Sequence, residues 1–199
     1  MTITFLDENG DERSESKFSD YTPARKRRSI KDISKFSNTS DYLPILNGVL
    51  LVETIVLGLA LVQLKHSKYL QQWYNKFGLS AVLAETTLVM TGIIIARFLY
   101  HYFFKTFSIW TFVLLAVAIQ IVHDLSFYQF LIRIPYGTNY MLDVLKNYTS
   151  EMRYTALLRD SVIISSSCLL GSYLATMSFN MNIINLIITT YIIPYAIYS

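Results

Sequence analysis

A single cysteine, Cys168, stands in a chain of 199 residues. An internal disulfide is therefore excluded, and so is a thiolate metal centre. Histidine is almost as scarce: His66, His101 and His123 are too few for a histidine-rich oxidase site. The glycines form no phosphate-binding loop. The helical Glu-x-x-His pair of di-iron bundles is absent. No Lys or Arg follows Arg159. From these gaps the expectation is no metal, no cofactor and no enzymatic activity. No cleavable signal peptide is expected either, because the first apolar block begins near Tyr42, after a long polar stretch.

What the chain has in abundance is apolar residues. They make up 53% of it and cluster in long blocks, with a mean hydropathy of +0.37. Blocks of this length point to an all-α membrane protein. Five spanning helices are predicted, over residues 42–64, 78–100, 108–132, 160–177 and 183–198. The last two are near the minimum length and only "SFNMN" separates them, so either a spanning pair or a re-entrant hairpin fits. Tyr42, Tyr69, Trp73, Tyr74, Tyr100, Tyr102, Trp110, Tyr195 and Tyr198 mark block ends and read as an interfacial aromatic belt. Between the third and fourth blocks, Pro135 and Gly137 make a turn. Met141, Leu145, Tyr148, Met152 and Ala156 then share a helical stripe, which predicts an amphipathic helix over 138–158. It lies either on the membrane surface or on the protein's own loops. Ser167, Gly171 and Ala175 recur every fourth residue, a small-residue face for close helix packing.

Residues 1–41 form a polar tail ahead of the membrane domain, 42–199. The tail opens acidic and turns basic in "ARKRRSIK", with Arg25, Lys26, Arg27, Arg28 and Lys31. Such a segment cannot order itself alone, and contact with another chain is expected to hold it. The basic run fits an anchor on anionic lipid headgroups or a protein-docking segment. No specific nucleic-acid partner is expected. Placing the N-terminus inside puts ten Lys and Arg on that side against seven on the other, a small margin.

The third block contains "QIVHDLSFYQF", a His–Asp pair well inside an apolar run. A charge at that depth costs at least ~2.5 kcal/mol, so a partner or water must offset it. Helices joined by a short loop are antiparallel neighbours, and residues equally far from the loop centre share a depth. Counting from Phe104 matches His123 with Glu85. Counting across the preceding loop matches Glu85 with Leu57, one turn from Glu53. Glu53, Glu85, His123 and Asp124 are thus predicted to converge, with Gln120 beside Asp124. Glu85 is the expected partner of His123. Such a cluster serves either as interhelical glue or as a proton or cation path.

From His123 onward, "HDLSFY", "IPYGTN", "LDVLKNY", Glu151 and "RDS" at Arg159 to Ser161 resemble a multi-span membrane protein family of large double-stranded DNA viruses with internal membranes, such as algal and amoebal giant viruses. The ending "NIINLI…YIIPY" is similar as well. Two positions depart from that pattern: a basic residue is expected at Tyr136 and a glycine at Arg159. The resemblance implies a structural protein of the virion's internal membrane beneath the capsid shell, a minor capsid component that meets other virion proteins through its tail. It implies no active site. The alternative, read from the residues, is a proton- or cation-conducting protein built on the polar cluster.

Overall fold

The computed structural model describes residues 5–6, 12–13, 30–63, 68–152 and 154–198. Phe5–Leu6 and Glu12–Arg13 pair as a short antiparallel ladder. Every other regular element among the described residues is helical. The helices are α1 (Tyr42–Gln63), α2 (Lys68–Phe77), α3 (Leu79–Phe103), α4 (Ile109–Arg133), α5 (Tyr140–Met152), α6 (Tyr154–Leu174) and α7 (Phe179–Ile197).

Four stretches are long and apolar enough to cross a bilayer: Thr39–Leu59, Leu79–Phe103, Ile109–Arg133 and Phe179–Ile197. The sequence predicted a fifth over 160–177, and α6 is the helix that falls short. Arg159, Asp160 and the run Ser165-Ser166-Ser167 dilute its hydropathy. One face of it is covered by protein, with Ile163, Ile164, Ser167, Cys168, Gly171 and Leu174 buried, while Leu158, Val162 and Tyr173 are exposed. Helices tolerate that polarity where neighbouring helices take up the polar groups.

α6 runs antiparallel along α1, and small residues set the spacing. A Cβ built on Gly48 would lie 2.6 Å from Gly171 N and 2.9 Å from Ser167 O. A Cβ on Gly171 would meet Ile45 Cα at 3.1 Å. The predicted face of Ser167, Gly171 and Ala175 is buried here. On another side of α1, Asn47 Nδ2 donates to Asn182 O at 2.8 Å and to Asn182 Oδ1 at 3.1 Å, tying α7 to α1. Ser178 caps α7, its side chain accepting from Met181 N.

Residues 30–41 pack against the bundle itself. Ile33 and Ser34 are fully buried. Lys31 N donates to Ser172 O at 3.2 Å, and Ser172 Oγ donates to Lys31 O at 2.5 Å. Arg97, on α3, is also fully buried. Its Nη2 donates to Lys35 O at 2.5 Å and Asn38 O at 2.8 Å, and its guanidinium lies 4.2 Å from the centre of the Tyr42 ring. Asp41 stands 4.0 Å from the same nitrogen and 2.7 Å from Lys31 Nζ. Lys31, expected among the docking cations, thus has an internal partner. Arg25, Lys26, Arg27 and Arg28 lie outside the described residues.

The far end of the bundle is closed by two short helices. α2 occupies the stretch between the first two predicted spans, where the sequence suggests a loop. Its stripe of Leu70, Trp73, Tyr74 and Phe77 faces inward, while Lys68, Gln71, Asn75 and Lys76 stay outside. Trp73 and Tyr74 are therefore buried, not part of an aromatic belt, and so is Tyr100. Tyr102, Trp110, Tyr195 and Tyr198 are exposed as a belt requires. Gly78 joins α2 to α3 at φ +46°, a left-handed position that suits glycine. The amphipathic helix predicted over 138–158 ends at Met152, and residues 154–158 already belong to α6. α5 packs on α2, α4 and α6, so it rests on the protein's own elements.

Candidate functional site

Beneath α2 and α5 lies a cleft of about 820 Å³, walled by residues of α1 to α6. Glu53, Glu85, Gln120, His123 and Asp124 all line it. The depth count therefore brings together the residues it named. Glu85 is six positions from the start of α3, about 9 Å of helix rise, so the cleft sits toward one end of the span.

The pairing inside the cluster differs from expectation. Glu85 accepts from Trp73 Nε1 through Oε1 and from Tyr74 OH through Oε2, each at 2.9 Å. Arg159 Nη2 donates to Tyr74 OH at 3.2 Å, and its Nη1 to Tyr148 OH at 3.1 Å. One polar chain thus links α3, α2, α6 and α5. Burial first, then Glu85, pushes the Tyr74 phenol above its ordinary pKa, so its hydroxyl stays protonated and donates. Burial also raises Tyr148. His123 turns to its neighbour, with Nδ1 3.2 Å from Asp124 Oδ1, and stacks on Phe127 at 5.8 Å between ring centres. Gln120 Nε2 donates to the same Asp124 oxygen at 2.7 Å. The depth count carries no rotation about each helix axis, and the partners differ accordingly.

The sequence reading missed Arg159 and Asp160, which it placed at the edge of a span. Both line the cleft. An ionisable pair between "ALL" and "SVII" was the signal available. Counted together, the walls hold four carboxyls (Glu53, Glu85, Asp124 and Asp160) against one guanidinium, Arg159. Two carboxyl oxygens, Glu53 Oε1 and Asp124 Oδ2, are buried and accept no hydrogen bond among the described residues. Glu53 is only 3% exposed. Among the described residues no group of three His, Cys, Asp or Glu is placed to hold a metal ion. Away from the roof, the bundle is filled by Ile93, Ala96, Phe112, Ala116 and Ile164, all fully buried.

The motif residues between α4 and α6 build the roof. Gly137, at φ +85°, donates its N–H to Asp143 Oδ2 at 2.9 Å. Asn139 Oδ1 accepts from Met141 N at 2.9 Å and Leu142 N at 3.2 Å, capping the start of α5. Lys146 Nζ donates to Ile134 O beyond the last turn of α4 and lies 4.4 Å from the centre of the Tyr136 ring. Tyr136 OH donates to Asn147 Oδ1 at 3.1 Å.

No family model, curated protein or solved structure matches the chain. The arrangement is therefore read from its own chemistry. It can bind a cation: four carboxyls face one guanidinium, and two carboxyl oxygens are unpaired among the described residues.

Proposed function

We propose that the chain is an integral membrane protein whose acidic cleft binds a cation. The observation that carries this reading is Glu53. It is almost fully buried, with one oxygen unpartnered, beside three more carboxyls and a single guanidinium. An intramembrane ionisable group without a partner costs several kcal/mol unless something offsets it. Four carboxyls against one guanidinium favour a cation over an anion. The apolar packing around Ile93, Phe112, Ala116 and Ile164 supports binding over conduction through the bundle.

The test is thermal unfolding of the full chain in detergent with rubidium, octylammonium or octyltrimethylammonium added. A cation at a hundred times its Kd stabilises by about 2.7 kcal/mol, or roughly 5–10 °C for a chain of this size. At least one of the three should raise the midpoint of the wild type and leave that of Glu53→Gln unmoved. A wild type indifferent to all three rejects the reading.

A second reading is a structural role in the internal membrane of a large virus, linking that membrane to the capsid shell through the tail. It is supported by the resemblance of "HDLSFY", "IPYGTN" and "LDVLKNY", residues that wall the cleft and seat α5. The two readings are compatible, since residues 30–41 pack near Arg97 and Ser172, away from the cleft. Cross-linking of intact particles should join Lys26 to a shell protein. Cross-links confined to the chain itself and to lipid would count against the linking role.

A further inference from the structure

Resting on the cation-binding reading, we infer that the cleft takes a primary ammonium group carried on an alkyl chain. Such a group is offered either by an aminophospholipid or by a free long-chain amine. Three features of the site lead there.

The first is the kind of acceptor left open. Glu53 Oε1 and Asp124 Oδ2 are carboxyl oxygens without a hydrogen-bond donor among the described residues. A primary ammonium brings three N–H donors and a positive charge, whereas a quaternary ammonium brings charge alone. Buried acceptors that receive no hydrogen bond retain their desolvation cost, so the donor matters as much as the charge.

The second is size and wall chemistry. About 820 Å³ is far more than a bare ion fills, since a water molecule occupies about 30 Å³. Trp73, Phe127, Tyr128 and Tyr148 add aromatic rings to the walls. Rings of this kind attract ammonium groups and pack against the methylenes beside them. No chelating group of three ligands is present among the described residues, which sets an organic cation above a metal ion.

The third is the way in. The lining includes Leu125, Tyr128 and Tyr154, which are 56%, 42% and 82% exposed. Leu125 and Tyr128 belong to α4, a helix apolar enough to face lipid, and Val122 and Phe130 are exposed on the same helix. An alkyl chain can therefore lie along α4 while its head enters the cleft. The roofing helices α2 and α5 carry Lys68, Lys76, Asp143 and Lys146, so the cleft lies beneath charged residues at one end of the bundle. That is the level at which a lipid headgroup sits.

The experiment compares unfolding midpoints of the full chain in two settings. In nanodiscs, phosphatidylcholine alone is compared with phosphatidylcholine partly replaced by phosphatidylethanolamine. In micelles, octylamine is compared with octyltrimethylammonium and octanol. The wild type should gain roughly 5 °C from phosphatidylethanolamine, octylamine or both, and clearly less from the quaternary and neutral probes. Glu53→Gln combined with Asp124→Asn should abolish the gain. A response to octylamine alone marks the ligand as a free amine, and a response to phosphatidylethanolamine alone marks it as a lipid; either supports the assignment. If octyltrimethylammonium or rubidium stabilises as well as octylamine or better, the primary-ammonium assignment falls while cation binding stands. Silence from every cation removes both. A double variant that still responds fully overturns the assignment as well. Should that variant fail to fold, native mass spectrometry of the wild type decides: phosphatidylethanolamine retained about tenfold over phosphatidylcholine, or octylamine about tenfold over octyltrimethylammonium, supports it, and equal retention within both pairs overturns it.

Discussion

Gly48→Val should pull α1 away from α6 and lower stability by about 3 kcal/mol or more. For a chain of this size that is a fall of roughly 6–12 °C in unfolding midpoint. The added Cβ would stand 2.6 Å from Gly171 N, 2.9 Å from Gly171 Cα and 2.9 Å from Ser167 O. These are backbone atoms, so no side chain can rotate to make room. The helices must separate, and the buried run of Ile164, Ser167 and Cys168 would lose its packing against α1. Gly58 is the internal control, being on the same helix with nothing within 4 Å of its built Cβ. Gly58→Ala should be neutral or gain up to about 1 kcal/mol from helix propensity. Thermal unfolding in detergent reads both. Equal midpoints for Gly48→Val and the wild type would mean that α1 and α6 do not cross at this point.

Arg97→Ala should be comparably damaging, at about 3 kcal/mol or more, because it takes the charged donor from the carbonyls of Lys35 and Asn38. Arg97 and Asp41 are both fully buried, and Arg97 also ties down the carbonyls of Lys35 and Asn38. Without it, residues 30–41 lose their main attachment to α3. Arg97→Lys should rescue little, since a single ammonium cannot both fork to two carbonyls and stack on Tyr42. Hydrogen exchange of the isolated protein in detergent is the direct readout. Amides near Ile33 and Ser34 should be protected in the wild type and exchange fast in Arg97→Ala. Protection that survives the substitution would show that the segment is held by other contacts.

Much of this architecture is legible in the residues. The apolar blocks behind α1, α3, α4 and α7 are long and unambiguous. The four-residue spacing of Ser167, Gly171 and Ala175 marks a close crossing before any partner is known. Depth matching across two loops named four residues that line one cleft, and helical spacing added Gln120. What escaped the sequence has a physical reason in each case. α2 is ten residues long with a polar outer face, and its Trp73 and Tyr74 look like interfacial aromatics until their burial is seen. The apolar run 160–177 reads as a span, yet α6 begins at Tyr154 and takes in Arg159 and Asp160, which dilute its hydropathy. Arg97 resembles a loop cation near a helix end, yet it is buried beneath the tail. Glu85 finds Trp73 and Tyr74, not His123, because rotation about a helix axis depends on packing that periodicity alone does not contain.

The central claim is that the acidic cleft holds a cation, with Glu53 among the carboxyls that meet it. Electron cryomicroscopy of the full chain in nanodiscs containing phosphatidylethanolamine tests it most directly. The account expects density for a bound group within hydrogen-bond distance of Glu53 Oε1 and Asp124 Oδ2, with Tyr74 and Arg159 still bridging Glu85 to Tyr148. Carboxyls that satisfy one another or protein donors, in a cleft closed around nothing, would contradict it.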